Sequence, residues 1–425
     1  MDASVSTKRA HSIKPNLFRQ SSIRRGSFTR QPKDHKVHLC MESRWKVRRP
    51  AWVEIRLDRI LRNARRFQTM LRSADLAVVV KADAYGHGLE PVASALYRGG
   101  VRWFCVSTAE EAHRLRDRIS RAHILIMGPV DRRDVPGLAR RAIIFTLFNI
   151  DFADELDRLS RRLDRKIDVH LKIDTGMNRL GVPWKQAGDF ALRLGLFRGV
   201  HVQGIYSHLA TSLEDLAFMH TQRSRFEFCL RQMRRLRLTP RIRHLANTGG
   251  VMVSPRFHYD MARVGLGLYG IAPRPARLGI AQIEQAMAVK ARLISIKWVE
   301  AGSGVGYGLA GRVSRLTPVG VVQVGYADGL DWCLSQPNQP ARSPAHALFR
   351  GRQLPLIGRI CMDQCFLDLT AVVDEIEIGD PILILGQEAE HGDISHWDMA
   401  RKIGTIPYEV MTGFGKRLPR KYLNG

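Results

Sequence analysis

Residues 78–88 read VVVKADAYGHG and set Lys81 at the end of a run of valines, just before a polar, glycine-rich turn. An ammonium at the mouth of an apolar strand loses water. Its pKa falls, and the amine becomes available as a nucleophile or a base. Amines of this kind condense with the aldehyde of pyridoxal 5'-phosphate, a group that draws electrons from a carbon losing its proton. A phosphate needs a cradle. Residues 263–270, RVGLGLYG, supply glycines that let backbone N–H groups come close to an anion, and Thr248 supplies a hydroxyl. Glycine-rich turns by themselves are weak evidence, since most are plain turns. His208, Asn247, Arg263 and Arg179 are further polar candidates. Taken singly, a strand-end lysine usually reaches solvent, and a lone histidine near a strand end is usually a hydrogen-bonded core residue.

These residues gain weight from the elements that must hold them. WVEIRLDRILRNARRFQTML reads as a short strand followed by an amphipathic helix. After it, LAVVVKA, WFCVST, HILIMG, AIIFTLF, DVHLKIDTG, VQGIYSHLA, IRHLANT and MARVGLGLYG read as eight strands alternating with helices between Leu76 and Gly270. That alternation implies parallel strands joined by right-handed crossovers, and eight units fit a (β/α)8 TIM-type barrel. Chemistry in such barrels sits at the C-terminal strand ends. Lys81 ends the first strand and Arg179 follows the fifth. His208 lies near the end of the sixth, Asn247 and Thr248 end the seventh, and Arg263 lies in the eighth. Chance placement of all of them at equivalent positions is much less credible than any one alone. Past Ala286 the rhythm changes to short strands with Gly/Pro turns, which predicts a mainly antiparallel β-domain. The expected organisation is a disordered basic arm over 1–48, a barrel over 49–285 and a β-domain over 286–425.

The chain has 425 residues and a formal net charge of +27. The first fifty residues hold thirteen Lys/Arg and three Asp/Glu, with no apolar core for a secretory signal. Such an arm is most often solvated, although nucleic acid or anionic lipid could hold it, and Met41 is an alternative start. Outside the arm no aromatic residues interleave a basic motif, so nucleic-acid binding is the minority reading. No apolar run reaches the eighteen residues of a membrane helix, so no membrane partner is expected. The six cysteines are sparse and suggest a reducing compartment, the cytoplasm. Cys361 and Cys365 lack companions for a zinc site, and no metal is expected.

From about Trp52 to the C-terminus the chain resembles alanine racemase. The resemblance rests on AVVVKADAYGHG, HLKIDTGMNRLG, YSHLA, ANTGG, MARVGLGLYG, VGYG, GYADG, GRICMDQC and TIPYEV, in that order. It implies a fold-type-III, pyridoxal-phosphate-dependent isomerase that interconverts L- and D-alanine and supplies D-alanine for peptidoglycan. By resemblance, Lys81 would hold the cofactor covalently and act as one base. Tyr307 would be the second base, reaching in from the partner subunit of a homodimer. Arg263 would face the pyridine nitrogen, with His208 hydrogen-bonding it from behind. Tyr85, Thr248, Gly265, Leu266 and Tyr408 would hold the phosphate, with Asn247 beside them, and Met127 would wall the cofactor. Arg179, Met362 and Asp363 would serve the substrate carboxylate. Lys172 matches a lysine that is carbamylated in some members and braces Arg179. Thr248 stands where many members have serine, the last fifteen residues are less familiar, and the arm has no counterpart.

Three other readings remain beside it. A broader-specificity racemase would need a roomier entrance than Tyr307, Tyr408 and Met362 suggest. A basic-amino-acid decarboxylase would need a cysteine-bearing loop that the chain lacks. A non-catalytic pyridoxal-phosphate carrier would be a barrel alone.

Overall fold

The computed structural model describes residues 50–273, 283–335, 345–388 and 392–424. The expected basic arm lies outside the described residues. Eight parallel strands form the barrel: Asp75–Val79, Trp103–Val106, His123–Ile126, Ile144–Leu147, Ile167–Asp174, Val200–Tyr206, Ile242–His244 and Met261–Val264. They are counted below as first to eighth. The last strand pairs with the first, Arg263 opposite Ala77 and Val264 opposite Val78. The seam between the seventh and eighth is tied by backbone bonds from Asp260 N–H to Arg243 O and from Arg263 N–H to Ala246 O, both 3.0 Å. Strands such as WFCV and IFTL are buried throughout, as expected of parallel strands covered by helices on one face and barrel interior on the other.

The helices face the barrel through their apolar stripes. In Leu57–Leu71 the buried side chains include Leu57, Ile60, Ala64, Phe67 and Leu71, spaced at three and four residues. The helix Ala109–Arg118 begins with a capping box, in which Thr108 accepts from the Glu111 N–H.

The second sheet runs, edge to edge, Gly392–Ile394, Pro381–Glu388, His346–Phe349, Arg352–Ile357, Cys365–Asp368, Thr317–Val322, Met287–Val299, Ala51–Arg56 and Arg420–Leu423. Pro381–Glu388 also pairs with Met287–Val299, so the middle of the sheet closes on itself. Every pairing is antiparallel except that of Ala51–Arg56 with Arg420–Leu423.

One element departs from the sequence reading. Ala51–Arg56, expected within the barrel region, pairs antiparallel with Met287–Val299, Ala51 opposite Ala291 and Ile55 opposite Met287. A strand followed by an amphipathic helix has the same local pattern whichever sheet the strand joins, and only the long-range register decides. The strand Arg420–Leu423 lies beside this one and close to the turn that follows Lys81.

Candidate active site

Lys81 leaves the first barrel strand through an uncommon backbone. Ala82, Asp83, Ala84 and Tyr85 all have φ between 52° and 55°, one turn of left-handed helix. Its bonds run from Ala84 N–H to Val80 O (2.9 Å), Gly86 N–H to Ala82 O (2.9 Å) and Gly88 N–H to Asp83 O (2.8 Å). Left-handed geometry costs roughly 1–2 kcal/mol for each residue with a side chain, so four in a row need outside support. Glu111 supplies it. Its buried carboxylate accepts from Ala82 N–H (2.6 Å) and Asp83 N–H (3.4 Å), and from Ser107 N–H (3.0 Å) and Thr108 N–H (3.3 Å) after the second strand. The C-terminal strand presses from the other side. Arg420 donates to Gly86 O at 3.2–3.3 Å, and a Cβ on Gly88 would fall 1.9 Å from the Tyr422 hydroxyl oxygen. Neither Glu111 nor Arg420 was singled out from the sequence. The T-x-x-E pattern of residues 108–111 was a visible signal for the first.

The Lys81 amine is partly buried. Desolvation holds its pKa below the usual lysine value, the Arg179 charge lowers it further, and Glu111 opposes both. Lys172, on the fifth strand and above the Tyr206 ring at 5.4 Å, is pushed down to about 8 by burial and then by Arg263 and Arg179. Burial keeps His208 well below its ordinary value, with Arg263, Arg179, Lys172 and Lys81 adding to the effect. These mutual influences put Lys81, Lys172, Arg179, His208 and Arg263 at one end of the barrel, as the strand-end argument expects. Arg179 itself is exposed, in a loop whose backbone is gathered by Asp174 accepting from Gly176, Met177 and Asn178 N–H groups. Met127, partly buried, follows the third strand.

Arg263 is 2 % exposed and has no carboxylate partner among the described residues. It donates to Ser207 O (2.7 Å), to His244 O (3.2 Å) and to His244 Nδ1 (2.8 Å), while His208 Nδ1 is 3.4 Å away. Two histidines therefore stand behind Arg263: His208, as the sequence reading expects, at the longer distance, and His244, which that reading does not name, at the shorter one. An accepting Nδ1 places the His244 proton on Nε2, which faces His170 Nδ1 at 2.8 Å, and His170 Nε2 in turn faces Gln203 Oε1 at 3.2 Å. The row Gln203, His170, His244, Arg263 is thus a directional chain of neutral imidazoles ending at a buried cation. Burial lowers the His170 pKa to about 4 and the His244 pKa well below its usual value. His244 sits inside a strand three residues long, and no local pattern marked it.

The cradle lies beside this row. The Thr248 hydroxyl accepts from Gly265 N–H (3.3 Å) and Gly267 N–H (3.4 Å), two long bonds shared by one oxygen. Those donors suit a stronger acceptor such as a phosphate oxygen. Asn247 caps the short helix Thr248–Val253 by accepting from Gly250 N–H and also donates to Ser212 Oγ, so its side chain anchors the start of the helix that begins with Thr248. The Tyr85 ring packs against Tyr269 (4.9 Å between centroids) and Tyr408 (5.9 Å). A Cβ on Gly265 would come within 2.6 Å of the Tyr85 hydroxyl oxygen, so glycine is required for that hydroxyl to lie against Gly265. Lysine amine, hydroxyl-bearing cradle and buried cation fit pyridoxal phosphate.

Tyr307, Met362 and Asp363 lie elsewhere, together on the β-domain, around an open concavity of about 580 Å³ lined also by Cys361, Gln364 and Phe366. Tyr307 is 70 % and Met362 53 % exposed. Asp363 pairs with Arg417. Among the described residues no hydrogen bond or ring contact joins Tyr307 to Lys81. The expected site residues thus fall into two groups, one at the barrel mouth and one on the β-domain.

Fold and site together define a barrel-type pyridoxal-phosphate enzyme with an appended β-domain. Residues 55–273 match the N-terminal domain of alanine racemase and residues 286–422 its C-terminal domain. An alanine racemase of Symbiobacterium thermophilum is 34 % identical over 377 residues, which is 88 % of this chain and 97 % of that one. The crystal structure of alanine racemase from D-cycloserine-producing Streptomyces lavendulae is similar with a TM-score of 0.80 at 32 % identity, covering 89 % of this chain and 98 % of that one. The alanine racemase of Bartonella henselae, whose structure has covalently bound pyridoxal phosphate, gives 0.78 at 27 % identity, covering 88 % and 99 %. The chain belongs to the alanine racemase family.

Proposed function

We propose that this protein interconverts L- and D-alanine by two-base proton transfer, with each active site built from two copies of the chain. The observation that carries the reading is the desolvated amine of Lys81, set at a strand end beside the Tyr85–Thr248–Gly265 cradle. Pyridoxal phosphate, when bound, withdraws electrons from the substrate α-carbon and makes its proton acidic. Lys81 holds that group through its amine and moves a proton at one face of the substrate. Tyr307 of a second copy moves a proton at the other face, because inversion requires acid–base groups on both sides of a planar carbon. Arg179 stands near the phenol of Tyr307 and receives the substrate carboxylate by its charge. Met362 of the second copy contributes to that site, with Asp363 beside it, its own carboxylate turned to Arg417.

Arg263 would face the pyridine nitrogen of the bound group. A guanidinium does not give up its proton at neutral pH, so that nitrogen stays unprotonated and electron withdrawal stays modest. His208 lies beside this contact, and His244 fixes the guanidinium. Tyr85, Tyr408, the Thr248 hydroxyl and the Gly265 and Leu266 backbone hold the phosphate, Asn247 orients Thr248, and Met127 walls the ring. With a pKa near 8, Lys172 has a neutral fraction that can add carbon dioxide and release a proton. The resulting carbamate would place a negative charge among Lys81, Arg179 and Arg263. Tyr307, Tyr408 and Met362 are bulky and leave room for a methyl side chain, which favours alanine. The reading places the reaction in the cytoplasm, supplying D-alanine for peptidoglycan.

The exposed Tyr307–Met362–Asp363 concavity supports a head-to-tail homodimer, since a two-fold axis would pair it with the partner's barrel mouth twice over. Lys81→Ala and Tyr307→Ala chains, each inactive alone, are unfolded and refolded together. Random pairing makes about half the dimers mixed and frees half their sites of lesions, so about a quarter of wild-type activity returns. Mixed dimers confirmed by mass that stay inactive refute the shared site. Cofactor that stays covalently attached to the Lys81→Ala protein after borohydride reduction and denaturation refutes the role given to Lys81.

A further inference from the structure

The parallel register of the barrel puts every connection that runs from a helix into a strand on one rim, opposite the rim that carries Lys81. That lower rim is cationic. Arg72 precedes the first strand, Arg121 the third, Arg165 the fifth, Arg198 the sixth, and Arg237 and Arg241 the seventh, all six exposed. None of the six belongs to an ion pair among the described residues. Asp164 is the one carboxylate in the connections that enter the first seven strands, Asp75 opens the first strand, and Asp260, before the eighth, is taken up by Arg243.

Helix dipoles account for only part of this pattern. Cations are favoured in the last turn of a helix, and Arg98, Arg118 and Arg140 lie there. Arg72, Arg165 and Arg237 stand at or just past a helix C-terminus, but Arg121, Arg198 and Arg241 stand three or more residues beyond their helices, where the dipole has faded. Mere solvation does not need them all on one rim with so few acids between. The same rim carries an apolar tip. Leu196 is 78 % exposed, the most exposed large apolar side chain among the described residues, and stands two residues from Arg198. Leu192 is exposed nearby at the end of the helix Ala187–Leu194.

These features distinguish two polyanions. Nucleic-acid binding without sequence preference combines basic grooves with exposed aromatic rings on which bases stack. Phe197, the one aromatic residue in the connections into the first seven strands, is partly buried against the core, and before the eighth Tyr259 is partly buried and Phe257 wholly so. A broad cationic rim with a protruding leucine suits an anionic lipid surface, where arginines meet headgroup phosphates and an apolar side chain enters the interface. We propose that the lower rim docks this enzyme on anionic bilayers, with the Lys81 mouth turned away from the lipid. Among the described residues no helix is long and apolar enough to cross a membrane, so the attachment is peripheral.

The test uses the full-length chain, whose basic arm is then constant across all variants. Vesicles of phosphatidylglycerol and of phosphatidylcholine are sedimented with the cofactor-loaded protein at low salt. A triple variant carries Arg198→Glu, Arg237→Glu and Arg241→Glu. A charge-matched control carries Arg132→Glu, Lys185→Glu and Arg350→Glu, away from the lower rim. Each basic residue near an anionic bilayer raises partitioning about fivefold, so the triple variant binds phosphatidylglycerol about a hundredfold more weakly, or less still. The control loses far less, Leu196→Asp weakens binding on its own, and racemisation in solution is unchanged in the triple variant. If the triple variant does not fold, the three single reversals each weaken binding about fivefold or more. Equal loss in the control, equal binding to phosphatidylcholine, or no loss in the triple variant overturns the proposal. So does a triple variant that loses duplex DNA but keeps phosphatidylglycerol, which transfers the surface to nucleic acid.

Discussion

Replacing Glu111 with alanine should loosen the turn that carries Lys81, although Glu111 itself is no base or ligand. Its carboxylate accepts from four backbone N–H groups, two of them at 3.0 Å or less. Hydrogen bonds to a charged group contribute about 1.5–3 kcal/mol each, so the two short ones together are worth about 3–6 kcal/mol. Ala82 is exposed, and water will recover part of that. A net loss of about 3 kcal/mol follows. For a chain of this length, an unfolding entropy of about 2 cal/mol/K per residue turns that loss into a Tm lower by about 4 °C. Four left-handed residues depend on the same carboxylate, so the loss should fall first on the turn. Cofactor retention and racemisation should decline at temperatures where the fold still holds. Glu111→Gln separates charge from shape. An amide keeps one acceptor oxygen and points an NH2 at two N–H donors, so it should lie between wild type and alanine. Thermal unfolding, violet absorbance after desalting, and a coupled D-alanine assay report the three quantities. An E111A protein with unchanged Tm and undiminished cofactor retention would show that the turn holds itself, and the reasoning would fail.

Arg263→Glu should slow racemisation and raise the yield of pyruvate from transamination. Glutamate shares a proton with the pyridine nitrogen, strengthens electron withdrawal and delays reprotonation at the α-carbon. An unchanged ratio of pyruvate to racemised alanine removes Arg263 from that role. The histidine row gives an acid limb to stability. His170 titrates at about 4 in the folded chain against 6.5 ordinarily, so between those values the unfolded chain binds a proton that the folded one refuses. Stability is therefore lost as pH falls from 6.5 towards 4, by about 3 kcal/mol from this residue. Denaturant unfolding across that range should show the slope, and His170→Gln should flatten it. An equally steep slope in H170Q would assign the acid limb elsewhere.

Much of this architecture could be read from local pattern. Valine-rich runs alternating with amphipathic helices specify strands, helices and their crossover hand from short-range sterics and burial. Once eight such units are counted, strand-end positions become one rim, and Lys81, Arg179, His208, Thr248 and Arg263 become neighbours without any further information. Lysine chemistry is suggested by an apolar strand end, although the desolvation and the Arg179 and Glu111 charges that set the amine's pKa come from other elements of the fold.

Other features depend on contacts between residues far apart in the chain. Ala51–Arg56 has the same appearance as a barrel strand, and only its register with Met287–Val299 takes it into the other sheet. His244 joins His208 behind Arg263, 0.6 Å closer, and that second contact between side chains of separate segments cannot be read from either segment alone. The left-handed backbone of residues 82–85 is costly by itself and exists because Glu111, thirty residues on, and Arg420, at the chain's end, hold it. Sequence by itself determined which elements form and which residue types stand at their ends, because those depend on neighbours within a few positions. Tertiary structure alone decided which sheet a strand joins, which imidazoles meet the guanidinium and what holds a strained turn, because each is set by the balance of packing and hydrogen bonding across the folded chain.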